Sequence, residues 1–316
     1  MWIDRGKLAL LIALGAALVA WASPPLALLA GMALALTVGN PFVHRTQGIA
    51  KWLLQASVVL LGFSMNLPLV LRLGLNGSVF AAITIGATMA LGWWLGKRLA
   101  LSPKTATLIS VGTAICGGSA IAAVSTVIGA SGAEIAVSIG TIFLLNAVAL
   151  YVFPIAGHLL HLGQGQFGLW AGVAIHDISS VVGAGLSYGP KALQIATAVK
   201  LSRTLWIVPL TMVFAARGRD GRAGAAKKIA VPWFVGLFLL ASLLRSYSPQ
   251  VASWSPVLSV IAERGMILVL FLIGTALSRA ALRAVGWRTA AAGVCLWLFI
   301  SVGSIASIRF FHLGLS

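Results

Sequence analysis

Acidic residues are nearly missing from this chain. Among 316 residues there are five, Asp4, Glu134, Asp177, Asp220 and Glu263, against 22 Lys and Arg. Charged residues of both signs make up 9% of the sequence, where soluble domains carry about 25%. With 60% of residues hydrophobic, that deficit excludes an ordinary soluble domain. No polar stretch is long enough to hold a second, water-soluble unit, so residues 1–316 read as one membrane domain. Cysteine is scarce as well. Cys116 and Cys295 both lie in apolar segments, and no disulfide framework is implied. A GxxxxGK[ST] phosphate loop is missing, so the chain encodes no ATP-driven pump. A GxSxG elbow is missing too, which argues against a serine hydrolase. His44, His158, His161 and His312 lack the paired spacing of a zinc site. No enzyme, metal or cofactor is expected.

What is present is long apolar runs separated by short basic gaps. The net charge of +17 would suggest nucleic acid in a soluble protein. Here the cations fall between hydrophobic runs, with no basic, aromatic-studded face, so nucleic acid is excluded as a partner. A helix needs roughly 20 apolar residues to cross a bilayer. The runs predict an all-α polytopic membrane protein with eleven spans. They cover residues 6–22, 25–39, 50–68, 76–96, 105–128, 133–156, 166–187, 192–215, 229–245, 256–278 and 288–310. The first resembles a signal peptide but lacks a small-residue cleavage site before Pro24, and reads as a membrane helix. Placing the N-terminus inside puts 15 Lys and Arg in cytoplasmic gaps and four in external ones. That bias predicts a multi-pass membrane protein with N-terminus cytoplasmic and C-terminus external. Residues 129–190 contain no Lys or Arg, and only Lys191 beside them votes.

Two internal matches suggest inverted repeats, the architecture of many secondary transporters. Residues 59–74 match 271–286, aligning Gly62 with Gly274 and Gly74 with Gly286. The charge count makes those two helices run in opposite directions. Residues 112–119 (GTAICGGS) match 172–179 (GVAIHDIS), and Glu134-Ile-Ala recurs at the same offset as Gln194-Ile-Ala. The charge-derived topology makes this second pair parallel, which an inverted repeat forbids. Either the match is chance or a segment is re-entrant.

The residues able to carry chemistry cluster in these segments. Cys116, Gly117, Gly118 and Ser119 interrupt an apolar run and suit a helix that unwinds at mid-membrane, offering backbone groups to a ligand. Irregular backbone at that depth survives only where protein or a water-filled cavity covers it. Asp177 lies in an apolar span at an insertion cost of about 3 kcal/mol. His176 beside it titrates near neutral pH in its unperturbed state. The pair reads as an ion relay or as a polar knot locking helices. Ser179 and Ser180 follow it. Lys200 and Arg203 share one helix face at i, i+3 spacing, too deep to snorkel easily. They read as an anion site, or as partners of Asp177 or Glu134 in a salt bridge. Glu134 after Gly132 fits a helix cap as well as a site. Asn146 suits either ligand contact or interhelical bonding. Glu263 and Arg264 read as interfacial.

The stretches LLGF at 60–63, GTAICGGSAIAA at 112–123, FGLWAGVAIHD at 167–177 and ATAVKLSR at 196–203 resemble the YeiH-type sulfate-exporter family of bacterial inner-membrane proteins. The family usually continues the AIHD block with Thr and Gln, where this chain has Ile178, Ser179 and Ser180. The resemblance implies a fold with interleaved panel and core subdomains and two crossing broken helices, shared with cation–proton antiporters and anion transporters. Together these readings predict a secondary transporter of a small anion such as sulfate or sulfite. Substrate contacts would come from Cys116, Gly117, Gly118, Ser119, Asn146, Ser179, Ser180, Lys200 and Arg203. His176 and Asp177 would couple H⁺ or Na⁺. The bilayer is the other partner, and a homodimer is allowed. A cation–proton exchanger of the same fold is the alternative, and a channel or non-transporting assembly protein is a third class.

Overall fold

The computed structural model describes residues 2–217 and 232–310. Arg219, Arg222, Lys227 and Lys228, which entered the charge count, lie outside the described residues, as do Asp220 and His312. All regular structure in the described residues is α-helical. The helices are α1 (Trp2–Trp21), α2 (Pro24–Thr37), α3 (Val43–Gly62), α4 (Leu67–Arg98), α5 (Pro103–Ala114), α6 (Gly118–Ile128), α7 (Gly132–Leu159) and α8 (Gln164–Ala174). Then follow α9 (Ile178–Tyr188), α10 (Pro190–Thr204), α11 (Ile207–Arg217), α12 (Trp233–Tyr247), α13 (Pro249–Gly274), α14 (Arg279–Ala284) and α15 (Trp287–Phe310). Five continuous stretches are long and apolar enough to cross a membrane, and α3 with the start of α4, bent by 113°, counts as a sixth only if the two are taken as one broken span. The protein is an all-α polytopic membrane protein.

The starts of these helices are written in local sequence. Proline occupies the first turn of α2, α4, α5, α10 and α13, where its missing N–H leaves no bond unmade. Ser102 caps α5 by accepting from the Thr105 amide. Ser131 and Glu134 form a reciprocal capping box on α7, which gives Glu134 the cap role. Its carboxylate also accepts from Ser102 Oγ at 2.7 Å. Arg264 donates to the Val19 and Ala20 carbonyls, closing the end of α1.

Two of the eleven predicted spans do not cross. Residues 105–128 and 166–187 each fold as two short helices that double back. A straight helix over 103–128 would be about 39 Å long at 1.5 Å per residue. Instead its ends meet: Lys104 Nζ donates to the Gly129 carbonyl at 2.6 Å. In the second pair, Tyr188 donates through its hydroxyl to the Leu162 carbonyl at 2.6 Å. Its ring stacks on Phe167 with centroids 3.7 Å apart, and Gln164 Oε1 accepts from the Lys191 amide. Both segments are therefore re-entrant hairpins, which replaces the expected pair of crossing broken helices.

The hairpins open at opposite ends of α7. The first opens beside the start of α7, where Ser102 meets Glu134. The second opens beside its end, where His158 stacks on Tyr188. Their closed tips meet between: a Cβ placed on Gly117 would lie 3.5 Å from Asp177 Cβ. The 60-residue match thus marks a true inverted pair. Helix α10 runs parallel to α8 at close range. Cβ atoms at Gly168 and Gly172 would press on the Ala192 and Ala196 carbonyls at 2.9 Å, so only glycine lets these backbones approach.

The other repeat also has a structural counterpart. Gly62 and Gly274 each end a helix and lie against foreign backbone, Phe238 O of α12 and Leu28 O of α2. Helices α3 and α13 run antiparallel. Gly265 packs on Ser57, while Asn40 Nδ2 joins Thr46 to Thr275.

Candidate functional site

The middle of α7 fixes the level of the site. Asn146 is fourteen residues from Gly132, about 21 Å along a helix about 42 Å long. Both hairpin tips lie at this level, as do Lys200 and Arg203 from α10. The structure thus gathers Cys116, Gly117, Gly118, Ser119, Asn146, His176, Asp177, Ser179, Ser180, Lys200 and Arg203 around one meeting point.

The second tip is held by a carboxylate network. Asp177 is the N-cap of α9. Its Oδ1 accepts from the Ser180 amide at 2.6 Å and from Ser179 Oγ at 2.8 Å. Its Oδ2 accepts from Asn146 Nδ2 at 2.6 Å. Asn146 Oδ1 accepts in turn from the His176 amide at 3.1 Å. Three donors around one carboxylate fix its orientation, so Asp177, Ser179 and Ser180 are occupied with one another.

The first tip is held by cations. Lys200 Nζ donates to the Ile115 carbonyl at 3.3 Å. Arg203 donates through Nη2 to the Ala114 carbonyl and through Nη1 to Thr84 Oγ1 at 2.9 Å. These carbonyls belong to the end of α5, where the last turn has no intrahelical donors. Lys200 is 0% exposed and Arg203 1%. The salt bridges expected to Asp177 or Glu134 are not formed, because Lys200 is turned to the α5 carbonyls and Glu134 sits in its own cap. Gly117 adopts φ +67° and ψ −126°, a conformation open essentially to glycine alone. Cys116 Sγ lies 2.8 Å from Ser119 Oγ. Cys116 is buried, Gly118 half-buried and Ser119 exposed.

Several buried polar atoms at the tips have no hydrogen-bond partner: both ring nitrogens of His176, Nε of Arg203 and Oγ1 of Thr113. Such atoms are rare in folded proteins and call for a ligand or water. Thr84 and Thr113 escaped the sequence reading. Threonine bonding back to its own helix is common in apolar helices, and nothing in their flanking residues distinguishes these two.

The sequence profile of a family described as Conserved hypothetical protein 698 matches residues 6–293. Similar proteins include a UPF0324 membrane protein of Porphyromonas gingivalis, 47% identical over 91% of this chain and 87% of the relative. One from Bdellovibrio bacteriovorus is 46% identical over 89% and 87%. One from Geobacter sulfurreducens is 40% identical over 97% of each chain. No solved structure matches.

Proposed function

This chain belongs to the Conserved hypothetical protein 698 family of membrane proteins, and on that premise we propose that it is a secondary transporter of a small inorganic anion. The observation that carries this reading is the charge at the hairpin tips. Lys200 and Arg203 are buried at mid-membrane depth and bond only to backbone carbonyls and a threonine hydroxyl. Among the described residues neither forms an ion pair with a carboxylate. Each such charge costs about 3 kcal/mol to insert. The single nearby carboxylate, Asp177, is saturated by its own donors. The site therefore carries surplus positive charge in a setting where an anion is the natural counter-charge.

Sulfate or sulfite is the substrate class that the sulfate-exporter resemblance favours, with export as the direction. The coupling ion is H⁺ or Na⁺. His176, whose ring nitrogens have no partner, suits a proton better than the capped Asp177 does. The same capping argues against the cation–proton exchanger, which needs a carboxylate free to trade its proton for a metal ion. The two hairpins opening at opposite ends of α7 suit alternating access to one central site.

The test is uptake of radiolabelled sulfate into proteoliposomes under imposed pH and Na⁺ gradients. Saturable, gradient-dependent uptake in the wild type, lost in Lys200→Ala, supports the reading. Well-folded protein that passes neither sulfate nor sulfite, but exchanges Na⁺ for protons, overturns it.

A further inference from the structure

A hairpin that stops at mid-membrane leaves two helix ends there. One presents free carbonyls and the other free amides. Two hairpins leave four such ends, and this chain closes two of them with its own charged side chains. Lys200 and Arg203 close the carboxyl end of α5. Asp177 closes the amino end of α9. The 60-residue register shows that these closures are not duplicated. The counterpart of Asp177 is Gly117, which has no side chain, and no side chain caps α6. The counterparts of Lys200 and Arg203 are Gly140 and Phe143, so α8 receives no equivalent cation.

The bare amino end of α6 does not stand alone. His176 is 0% exposed and neither ring nitrogen has a partner. Its main chain lies against that helix end: a Cβ on Gly117 would sit 3.6 Å from the His176 carbonyl carbon. A buried imidazole without a partner implies something polar beside it. Ser119, in the first turn of α6 and exposed, adds a hydroxyl that rests on the Cys116 carbonyl and sulfur and is near enough to turn to a ligand.

We infer that the anion is held between His176 and the amino end of α6. The first-turn amides, the Ser119 hydroxyl and one imidazole N–H are its ligands. Lys200 and Arg203 supply the positive field from behind the tip while their own donors stay on the α5 carbonyls. This assignment deepens the transporter reading and rests on it. A set of neutral donors converging under a fixed positive field suits a compact oxyanion with several acceptor oxygens. It also makes Asp177 a positioning residue rather than a ligand.

The experiment uses Cys116 as a local reporter, since its sulfur lies 2.8 Å from Ser119 Oγ. Cys295→Ser, at an exposed position on α15, leaves one thiol. Half-saturation by sulfate is measured twice on each protein: for flux into proteoliposomes, and for protection of Cys116 from methyl methanethiosulfonate. Each lost hydrogen bond to an anion weakens binding about tenfold or more. Ser119→Ala and His176→Ala should therefore each raise both half-saturation values by about that factor. Wild-type half-saturation in both variants would overturn the assignment. Protection that depends on Ser119 and His176 without any flux would uphold the site and overturn the transporter reading instead. Neither flux nor protection by sulfate, sulfite, thiosulfate or phosphate would overturn both.

Discussion

Exchanging Asp177 and Asn146 tests whether the carboxylate is a structural clasp. Asp177→Asn keeps the cap on α9, because asparagine caps about as well as aspartate. It fails at the other oxygen. There the new amide would point an N–H at Asn146 Nδ2, only 2.6 Å away. Rotating the Asn146 amide moves the conflict to the His176 amide, which needs the same oxygen. One buried donor is left unpaired either way, at a cost of about 2 kcal/mol. Asn146→Asp alone places two carboxylates within hydrogen-bond distance and costs at least as much. The double exchange restores every complement. The carboxylate at 146 accepts from the amide at 177 and from the His176 backbone, and the charge count is unchanged. Unfolding in mixed micelles, followed by the fluorescence of the 11 tryptophans, should show the double variant more stable than the sum of the singles by about 1.5 kcal/mol or more. Strict additivity would refute the network. If the double variant is stable and still carries anion, Asp177 is not the coupling group.

Three further outcomes follow from the hairpins. Ala133→Cys should react with a membrane-impermeant maleimide from the same side as Lys104→Cys, and Gly163→Cys from the other; eleven crossing spans would put residues 104 and 133 on opposite sides. Gly117→Ala should lower the melting temperature through about 1–3 kcal/mol of backbone strain, whereas Gly129→Asn, at φ +61° and ψ +45° with no atom within 4 Å of an added Cβ, should be nearly neutral. In Gly172→Ala the new methyl would lie 2.8 Å from Val199 Cβ and 2.9 Å from the Ala196 carbonyl, so separation of α8 from α10 should cost about 1–3 kcal/mol, read as a lower melting temperature in detergent.

Composition and apolar run length made the all-α membrane class legible, and every predicted span contains helix. The re-entrant turns were not legible, and the reason is arithmetic. Replacing two crossings by two hairpins leaves Lys104, Lys191 and Arg217 on the sides they already had. The charge bias is therefore blind to the change, and residues 129–190 held no cation to reveal it. The 112–119 and 172–179 match carried the information in its glycines and serines, since a parallel pair contradicted it and an inverted one did not. The tip residues stood out because each is an expensive choice in hydrocarbon. Their pairing did not, because Lys200 prefers the Ile115 and Ala114 helix end to the carboxylate nearest in charge. Sequence lists charged side chains but not the carbonyls of a helix that stops short.

Each hairpin is fastened to the helix that follows the other one. The first tip is tied to α10 and the second to α7. This has a consequence for biosynthesis. When residues 103–128 leave the ribosome, the cations that will satisfy the Ile115 and Ala114 carbonyls are still 85 and 89 residues away in the chain. Backbone carbonyls without donors are not tolerated in hydrocarbon. The first hairpin therefore cannot settle at its final depth on its own. Those carbonyls find their donors only once α10 has been made, so the first hairpin completes its bonding after α10 arrives.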